Sequence, residues 1–310
     1  MKSVTFVVLN WNGEKIISKC LRAALGALDH YEGRGEVLVV DNGSKDKSVP
    51  IIKSDHPKAR LICLKENIGF SAGNNLGVKE SLGDIVVLLN NDAYVHPDFL
   101  TPIIPHFAED QVFSVNPKVY GPDGLIIGRT SAYFRRGMIK SRTSNDIYSA
   151  PVPCLFAGGG VGAFDKGKYL ALGGLLDLLY WEDFELGYRA WKQRGWRTIY
   201  EPRSLVYHDF GTSFRKVFTR KELKSLSNRN RFLFQWYAIS DPSLIMIHMG
   251  YLPFVLIYSL LKGKMSYPIG FIQALLEWRR FKQEVRQKVP NVDGTLRDRE
   301  ILEIVRDRAM

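Results

Sequence analysis

The apolar positions of this chain come in short runs, each ended by a cluster of small and polar residues. Val4 to Leu9 stops at Asn10-Trp11-Asn12-Gly13, Glu36 to Val40 at Asp41-Asn42-Gly43-Ser44, and Ala59 to Leu64 before the stretch Asn67 to Asn75. Ile85 to Leu89 is apolar throughout and is bounded by Gly83-Asp84 and Asn90-Asn91-Asp92. Runs too short for a self-burying helix, closed by turn residues, predict strands buried on both faces of a parallel sheet. Between them the apolar residues change to helical spacing. Ile16, Ile17, Cys20, Leu21, Ala24, Leu25 and Leu28 mark a first helix, Asp46 to Lys53 a short second one, and Leu76, Val78 and Leu82 a third. This alternation predicts an α/β fold with a mostly parallel central sheet and helices on both faces.

Downstream the pattern loosens. Pro97, Pro102, Pro105, Pro117 and Pro122 break up any long element, and Phe113 to Asn116 reads as a strand. Residues 129–150 are basic and polar without periodicity and predict a loop. Leu155 to Ala157 and Val161 to Phe164 are strand-like segments around a glycine run. Tyr180 to Trp191 predicts a helix with an apolar face of Phe184, Tyr188 and Trp191, followed by short strands at Thr198 to Tyr200 and Val206 to His208. Leu296 to Arg308 reads as a charged amphipathic terminal helix.

Composition narrows the class. An apolar content of 45% and a charged content of 24% over 310 residues describe a folded globular chain. Cys20, Cys63 and Cys154 have no metal-ligand spacing; Cys20 and Cys63 read as small core residues, and a reducing compartment follows. The Val4 run is too short for a secretory signal peptide. The net charge of +11 is concentrated late, since residues 211–310 hold 18 Lys and Arg against 9 Asp and Glu. Basic and aromatic residues interleave from 214 to 240, and Leu244 to Leu261 carries no formal charge. Apolar stretches between basic clusters favour an anionic membrane surface over nucleic acid. His248, Gly250 and Pro253 interrupt the uncharged stretch, which sits at the lower length limit for a span. A helix lying in the interface fits it better than a buried core helix, and a span fits least. The chain divides at about residue 235 into an α/β domain, 1–235, and a helical, membrane-associated extension, 236–310.

Ligands of open α/β sheets bind beyond the carboxyl ends of the strands. Asn10 to Asn12, Asp41, Asn67 with Gly69 to Asn74, and Asn91-Asp92 therefore outline one crevice. Asp92 has the chemistry to hold Mg²⁺ or Mn²⁺, and through it a diphosphate; turn formation and capping account for Asn-Asn-Asp equally well. No G-x-x-x-x-G-K-[ST] and no G-x-G-x-x-G opens a helix here, so phosphate binding by a glycine-rich helix start is not available. The Gly158 to Gly162 run, with Gly159 inside it, implies close approach of a substrate or strand. A second centre is Trp181-Glu182-Asp183 at a helix start. The helix dipole favours acids there, and one carboxylate facing the crevice would serve as a general base. Glu185 and Arg189 are spaced to pair on the helix surface. His208, between a strand and a Gly-Thr-Ser turn, reads either as a structural residue or as a ligand.

Together the motifs resemble glycosyltransferase family 2, the inverting nucleotide-sugar enzymes of GT-A type, Rossmann-like fold. The matching stretches are VVLNWNG (Val7–Gly13), VVDNGSKD (Val39–Asp46), NIGFSAGNN (Asn67–Asn75), LLNNDA (Leu88–Ala93), WEDFELGYR (Trp181–Arg189) and HDFGTS (His208–Ser213). The resemblance implies a nucleoside-diphosphate sugar donor. Asp41 would contact its base, with Asn10 and Asn12 nearby, and Asn67, Gly69 and Asn74 would lie along the nucleotide. Asn91-Asp92 resembles a reduced form of the family's D-x-D metal element. His208 is similar to its additional metal or diphosphate contact, and Asp183 to its catalytic base, with Trp181, Glu182 and Gly159 as substrate contacts. The implied cofactor is Mg²⁺ or Mn²⁺. The implied acceptor is a saccharide or lipid-linked hydroxyl in cell-envelope polysaccharide synthesis, met on the cytoplasmic face of the plasma membrane. LNWNG, LLNND and GGGVGAF look most like bacterial rhamnosyltransferases using dTDP-rhamnose.

Overall fold

The computed structural model describes residues 1–144, 147–209, 219–290 and 294–306. Its first half follows the β-α alternation: β1 (Val4–Asn10), α1 (Ile17–Asp29), β2 (Gly35–Asp41), α2 (Ser48–Asp55), β3 (Arg60–Cys63), α3 (Phe70–Glu80) and β4 (Ile85–Asn90). Strand β5 (Ala93–Val95), helix α4 (Leu100–Ile103), β6 (Val112–Tyr120) and β7 (Ile126–Ile127) follow. Next come β8 (Thr130–Arg135), β9 (Met138–Thr143), β10 (Val152–Cys154), β11 (Ala163–Asp165) and α5 (Lys166–Ala171). The chain continues with α6 (Glu182–Arg194), β12 (Arg197–His208), α7 (Arg220–Ala238), α8 (Pro242–Leu261), α9 (Ser266–Lys288) and α10 (Asp298–Ile304).

The main sheet runs β10-β12-β6-β11-β4-β1-β2-β3, with β5 on β12 and β7 on β6. Strands β4, β1, β2 and β3 are mutually parallel, as their unbroken apolar runs require. Phe6 and Val8 pack with α1 on one face, while Val7, Val86 and Leu88 pack with Phe113, Phe164 and Leu186 on the other. This is the strand period of two, with both faces apolar. The register sets Asn10 beside Asp41 and Leu9 beside Asn90, so the polar ends of three strands lie level at one edge. The crevice is thus a direct consequence of strand register.

Several expectations need correction. The sheet is mostly parallel, as expected, and the additions lie elsewhere: β11 runs antiparallel to β4 and β6, and β5, β7 and β10 pair antiparallel as well. Most of 129–144 is not a loop: β8 and β9 form an antiparallel hairpin around Arg136-Gly137, both at positive φ. Thr198–Tyr200 and Val206–His208 belong to one strand, β12, which slips register between Glu201 and Leu205, where Pro202 cannot donate to a ladder. Leu155 to Ala157 is not a strand. Cys63 is exposed at the end of edge strand β3, whereas Cys20 is buried with its thiol donating to the Asn90 carbonyl. Asn91-Asp92 leads into a strand, β5, and caps no helix. The boundary placed at 235 falls inside α7, and α6 to α10 share one core with the β8–β9 hairpin through Trp181, Phe184, Phe234, Ala274 and Phe281.

Candidate active site

The crevice edge is a hydrogen-bonded polar floor. Asn10 donates from Nδ2 to Asp41 Oδ2 (2.8 Å), and Asn91 Nδ2 donates to Asn10 Oδ1 (2.8 Å). Ser44 gives its amide to Asp41 Oδ1 (3.0 Å) and its hydroxyl to Oδ2 (2.6 Å). Asn12, exposed and at φ +50°, accepts the Lys45 amide on Oδ1 (2.8 Å). A Cβ on Gly13 would stand 2.3 Å from Asn10 Oδ1 and 2.5 Å from Asn91 Nδ2, so only glycine lets β1 turn away over this network. Asn42 ties the floor to the next cluster, donating to Asn67 Oδ1 and the Gly69 carbonyl and accepting the Ile68 amide. Gly69 opens α3 at φ +92°. Asn74 is buried and donates to the Phe70 carbonyl of its own helix. The structure therefore brings Asn10, Asn12, Asp41 and Asn91 into one group, and Asn67 and Gly69 into an adjoining one. Asn74 faces its own helix.

The end of β4 meets the end of β12. His208 Nε2 and Asp92 Oδ1 lie 2.8 Å apart, both largely buried, with Asn90 Nδ2 3.5 Å from the same imidazole nitrogen. Ligands about 2.1 Å from a Mg²⁺ or Mn²⁺ ion and at right angles to each other are about 3 Å apart. Asp92 and His208 thus fit adjacent corners of one coordination sphere without first separating. Among the described residues no group of three His, Cys, Asp or Glu converges on a point, so these two would leave the other positions to water or phosphate oxygens. The Gly-Thr-Ser turn after His208 lies outside the described residues.

The glycine run connects this pair to the second centre. Asn90 donates its amide to the Gly160 carbonyl (2.9 Å), and a Cβ on Gly160 would meet the Asn90 side chain at 2.3 Å. A Cβ on Gly159 would stand 2.4 Å from Asp183 Oδ1. One loop is thus pressed between the two carboxylate-bearing ends, and only glycine fits there. Asp183 Oδ1 is closed to solvent and has no hydrogen-bond partner of good geometry. Burial pushes its carboxyl up to about 6, with the nearby Gly159 amide opposing the rise. Asp183 lines a pocket of about 190 Å³ with Ser141, Phe156, Tyr180, Trp181, Phe184 and Ser227. Trp181 is fixed there, its Nε1 donating to Ser227 Oγ (3.2 Å) and its ring stacked on Phe234.

Glu182 does not join Asp183. Buried beside it, Glu182 turns Oε2 back onto the Trp181 amide (3.0 Å) at the start of α6. Desolvation and the Asp183 charge push its carboxyl well above the usual carboxylate range. Glu185 and Arg189 do pair, at 2.7 Å, but inside the protein rather than on the helix surface, with Arg189 also donating to the Leu172 and Gly174 carbonyls. Sequence reasoning passed over Asn42, Ser44 and Asn90, which knit the floor, and Ser141, Tyr180 and Ser227, which line the pocket. The first three stood inside motifs already marked; the others have no local signal, because the β8–β9 hairpin and α7 bring two of them in from far along the chain.

The profile of glycosyl transferase family 2 matches residues 5–165, from β1 to the end of β11. The chain belongs to glycosyl transferase family 2. An N-acetylglucosaminyltransferase of Sinorhizobium fredii is 31% identical over 106 residues, 33% of this chain and 25% of that protein. A beta-monoglucosyldiacylglycerol synthase of Synechocystis is 31% identical over 112 residues, 34% of this chain and 23% of that protein. The chain spans a quarter or less of the length of these two relatives. Among solved structures, residues 1–349 of Staphylococcus aureus TarS in complex with UDP-GlcNAc superpose with a TM-score of 0.54 at 13% identity, covering 92% of each chain. Mannosyltransferase PcManGT from Pyrobaculum calidifontis, in complex with GDP-Man and Mn²⁺, gives 0.53 at 16% identity over 92% of this chain and 79% of that one. The family 2 chain therefore has the GT-A type fold with a helical C-terminal part.

Proposed function

We propose that this family 2 enzyme transfers a sugar, with inversion, from a nucleoside-diphosphate donor to a hydroxyl of a saccharide or lipid-linked acceptor, using Asp183 as the base. The observation that carries this reading is Asp183 itself: a carboxylate oxygen closed to solvent without a well-formed hydrogen bond, in a pocket, one glycine loop from the Asp92–His208 pair. An unpartnered buried acceptor costs stability unless a ligand supplies the donor. An acceptor hydroxyl in the pocket supplies it.

The donor lies along the strand-end floor. The base sits by Asn10, Asn12 and Asp41, whose Oδ1 accepts one amide and has capacity for a second donor. The nucleotide continues past Asn67 and Gly69, at the start of the helix that Asn74 braces from within, and its diphosphate reaches Asn91, Asp92 and His208. A divalent cation, Mg²⁺ or Mn²⁺, held by Asp92 and His208 would offset the charge on the departing diphosphate. Asp183 accepts the proton of the acceptor hydroxyl as that oxygen bonds to the anomeric carbon from the face opposite the leaving group. One displacement inverts the centre and needs no covalent sugar–enzyme intermediate. On the motif resemblance alone, dTDP-rhamnose is the first donor to try. The proposed setting is cell-envelope polysaccharide synthesis at the inner face of the plasma membrane, with anionic lipid rather than nucleic acid as the surface met.

The test is release of nucleoside diphosphate from a panel of nucleotide sugars with Mn²⁺, Mg²⁺ or EDTA. Turnover is expected to require metal and to vanish in Asp92→Ala. Asp183→Asn is expected to lower kcat by about 10²–10⁴-fold with donor KM little changed. Full turnover in Asp183→Asn overturns the base assignment, and full turnover in EDTA overturns the cation.

A further inference from the structure

We propose that α8 and α9 lie flat in the interface of an anionic lipid bilayer and hold the mouth of the Asp183 pocket against it, so that the acceptor is an amphiphile reached from the membrane. The acceptor half rests on the glycosyl-transfer reading above; the membrane half does not.

The first observation is where apolar surface is left uncovered. Of the 24 large apolar side chains exposed among the described residues, 15 fall between Ile245 and Leu276. Single exposed apolar residues are ordinary on a soluble surface, but a concentration of this kind marks an interaction face. Met246, Phe254, Leu261 and Leu276 are each at least 69% exposed. Helix α8 is long and apolar enough to cross a membrane by length and composition, yet only 17% of it is buried, so it is no core helix.

The second is charge. From Pro242 to Leu276 there is no Asp or Glu, and the only formal charges are Lys262 and Lys264 at the turn between the helices. Arg135 and Arg136, both exposed, sit at the tip of the β8–β9 hairpin. That tip packs on α8, since a Cβ on Gly137 would meet Tyr251 at 2.9 Å and His248 at 3.1 Å. Arg279 and Arg280 continue the basic rim along α9. An apolar face rimmed mainly by Lys and Arg, with Glu277 paired to Arg229, complements an anionic headgroup layer over a hydrocarbon interior.

Two features choose a flat orientation over a span. His248 anchors the middle of α8 to the domain, its Nδ1 donating to the Gly137 carbonyl (2.8 Å) and its Nε2 accepting from Trp236 Nε1 (3.1 Å). A spanning α8 would break this anchor or draw Arg135 and Arg136 into hydrocarbon. Inserting the α8–α9 turn would likewise bury Lys262 and Lys264, whereas lying flat leaves all of these at headgroup level.

One wall of the pocket adjoins the same helices. Ser227 lines it, and the next residue, Asn228, donates to the Ser266 carbonyl (3.1 Å), two residues past Lys264. The hydroxyl that reaches Asp183 therefore approaches past the basic turn that would sit among headgroups.

Flotation of the full chain with vesicles of phosphatidylcholine alone, or with phosphatidylglycerol added, tests the membrane half. Binding is expected only with phosphatidylglycerol, and is expected to be released by high salt or alkaline carbonate. Lys262→Glu with Lys264→Glu is expected to weaken it about tenfold or more, as is Phe254→Glu with Leu276→Glu; neither pair touches the pocket. Resistance to carbonate extraction means a span and overturns the flat orientation. A wild-type dimer whose interface the Phe254→Glu, Leu276→Glu pair breaks, without vesicle binding, overturns the membrane in favour of a second copy. Donor hydrolysis measured on the same samples separates the two halves. Vesicle binding without any nucleoside-diphosphate release sinks the transfer reading and leaves the surface. Normal release on water-soluble acceptors, with no gain from acceptors embedded in vesicles, sinks the membrane-delivered acceptor.

Discussion

Two adjacent carboxylates, Glu182 and Asp183, begin the same helix and take different tasks because of where successive residues of a helix point. Glu182 folds back on the Trp181 amide and serves the helix start, while Asp183 faces the glycine loop and the pocket. Their identity was legible from sequence; which one faces the ligand was not, because that depends on how α6 is rotated against the sheet. Burial pushes Asp183 up to about 6, so the base is ionised and active only above that pH. Donor kcat/KM is expected to fall tenfold per unit as pH drops below about 6 and to be flat above it; an acid limb near the usual value of a solvated aspartate would remove the buried-base reading. The same shift has a stability sign. A carboxyl whose folded pKa is raised favours the folded state below its unfolded pKa and loses that advantage as pH rises through about 6. Asp183→Asn is therefore expected to raise stability at pH 8 by about 3 kcal/mol, with the gain shrinking toward pH 4. Denaturant melts at the two pH values measure it, and an equal effect at both would contradict the linkage. Gly159→Ala is expected to depress turnover as well, since its Cβ would push Asp183 Oδ1 out of place.

At the scale of elements, what sequence showed and what it hid divide by the source of burial. Strands β1, β2 and β4 carry apolar residues on both faces through their central positions because both faces are covered by neighbours in the βα repeat, so pattern alone revealed them. The β8–β9 hairpin was missed because its inward positions include Ser131 and Thr130, its outward ones are basic, and its turn is Arg-Gly rather than Asn-Gly. Its partners, α7 and α8, are about a hundred residues away. Helix α6 misled in another way. An i,i+4 Glu–Arg pair is ordinarily a surface feature of small worth, but the apolar ring of Phe184, Tyr188 and Trp191 is wide enough that Glu185 and Arg189 are sealed in as well. Removing Glu185 strands the buried Arg189 guanidinium, which keeps only its two main-chain carbonyl acceptors. Glu185→Ala is expected to cost about 3–5 kcal/mol, and Glu185→Met with Arg189→Met to recover most of it. Urea melts of the three variants decide the point; equal losses in the single and double variants would mean the pair is stabilising in itself.

Over the whole molecule, catalysis and the C-terminal helices are joined by one helix. The α6 segment presents Asp183 at its first turn, and its other side packs Trp181, Phe184 and Tyr188 on Phe234 at centroid distances of 5.0 to 5.6 Å. Phe232, next along α7, rests in turn on Tyr267 and Phe271 of α9. The far end is tied by Asp298, a buried carboxylate that accepts from Tyr188 Oη, Lys192 Nζ and the amides of Ser240 and Asp241. It links α6, the α7–α8 junction and α10. None of these contacts is visible to a reading by period or motif, which is why 236–310 looked like an appendage. A chain cut after Gln235 would leave Phe232 without its α9 partners, Asp298 absent from Tyr188 and Lys192, and α6 exposed along its apolar side. The expected outcome is a fragment that retains sheet by circular dichroism but binds a hydrophobic dye, melts without a cooperative transition and releases no nucleoside diphosphate, even with water-soluble acceptor. Asp298→Ala asks the same question without truncation. It removes the counter-ion of Lys192 and the acceptor of the Tyr188 hydroxyl and of two amides, at an expected cost of about 3–5 kcal/mol, and loosens the helix that aims the base, so kcat is expected to fall while donor KM holds. A soluble 1–235 fragment with full donor turnover would show that the active centre stands without the helices behind it, and would return them to the role of an attachment.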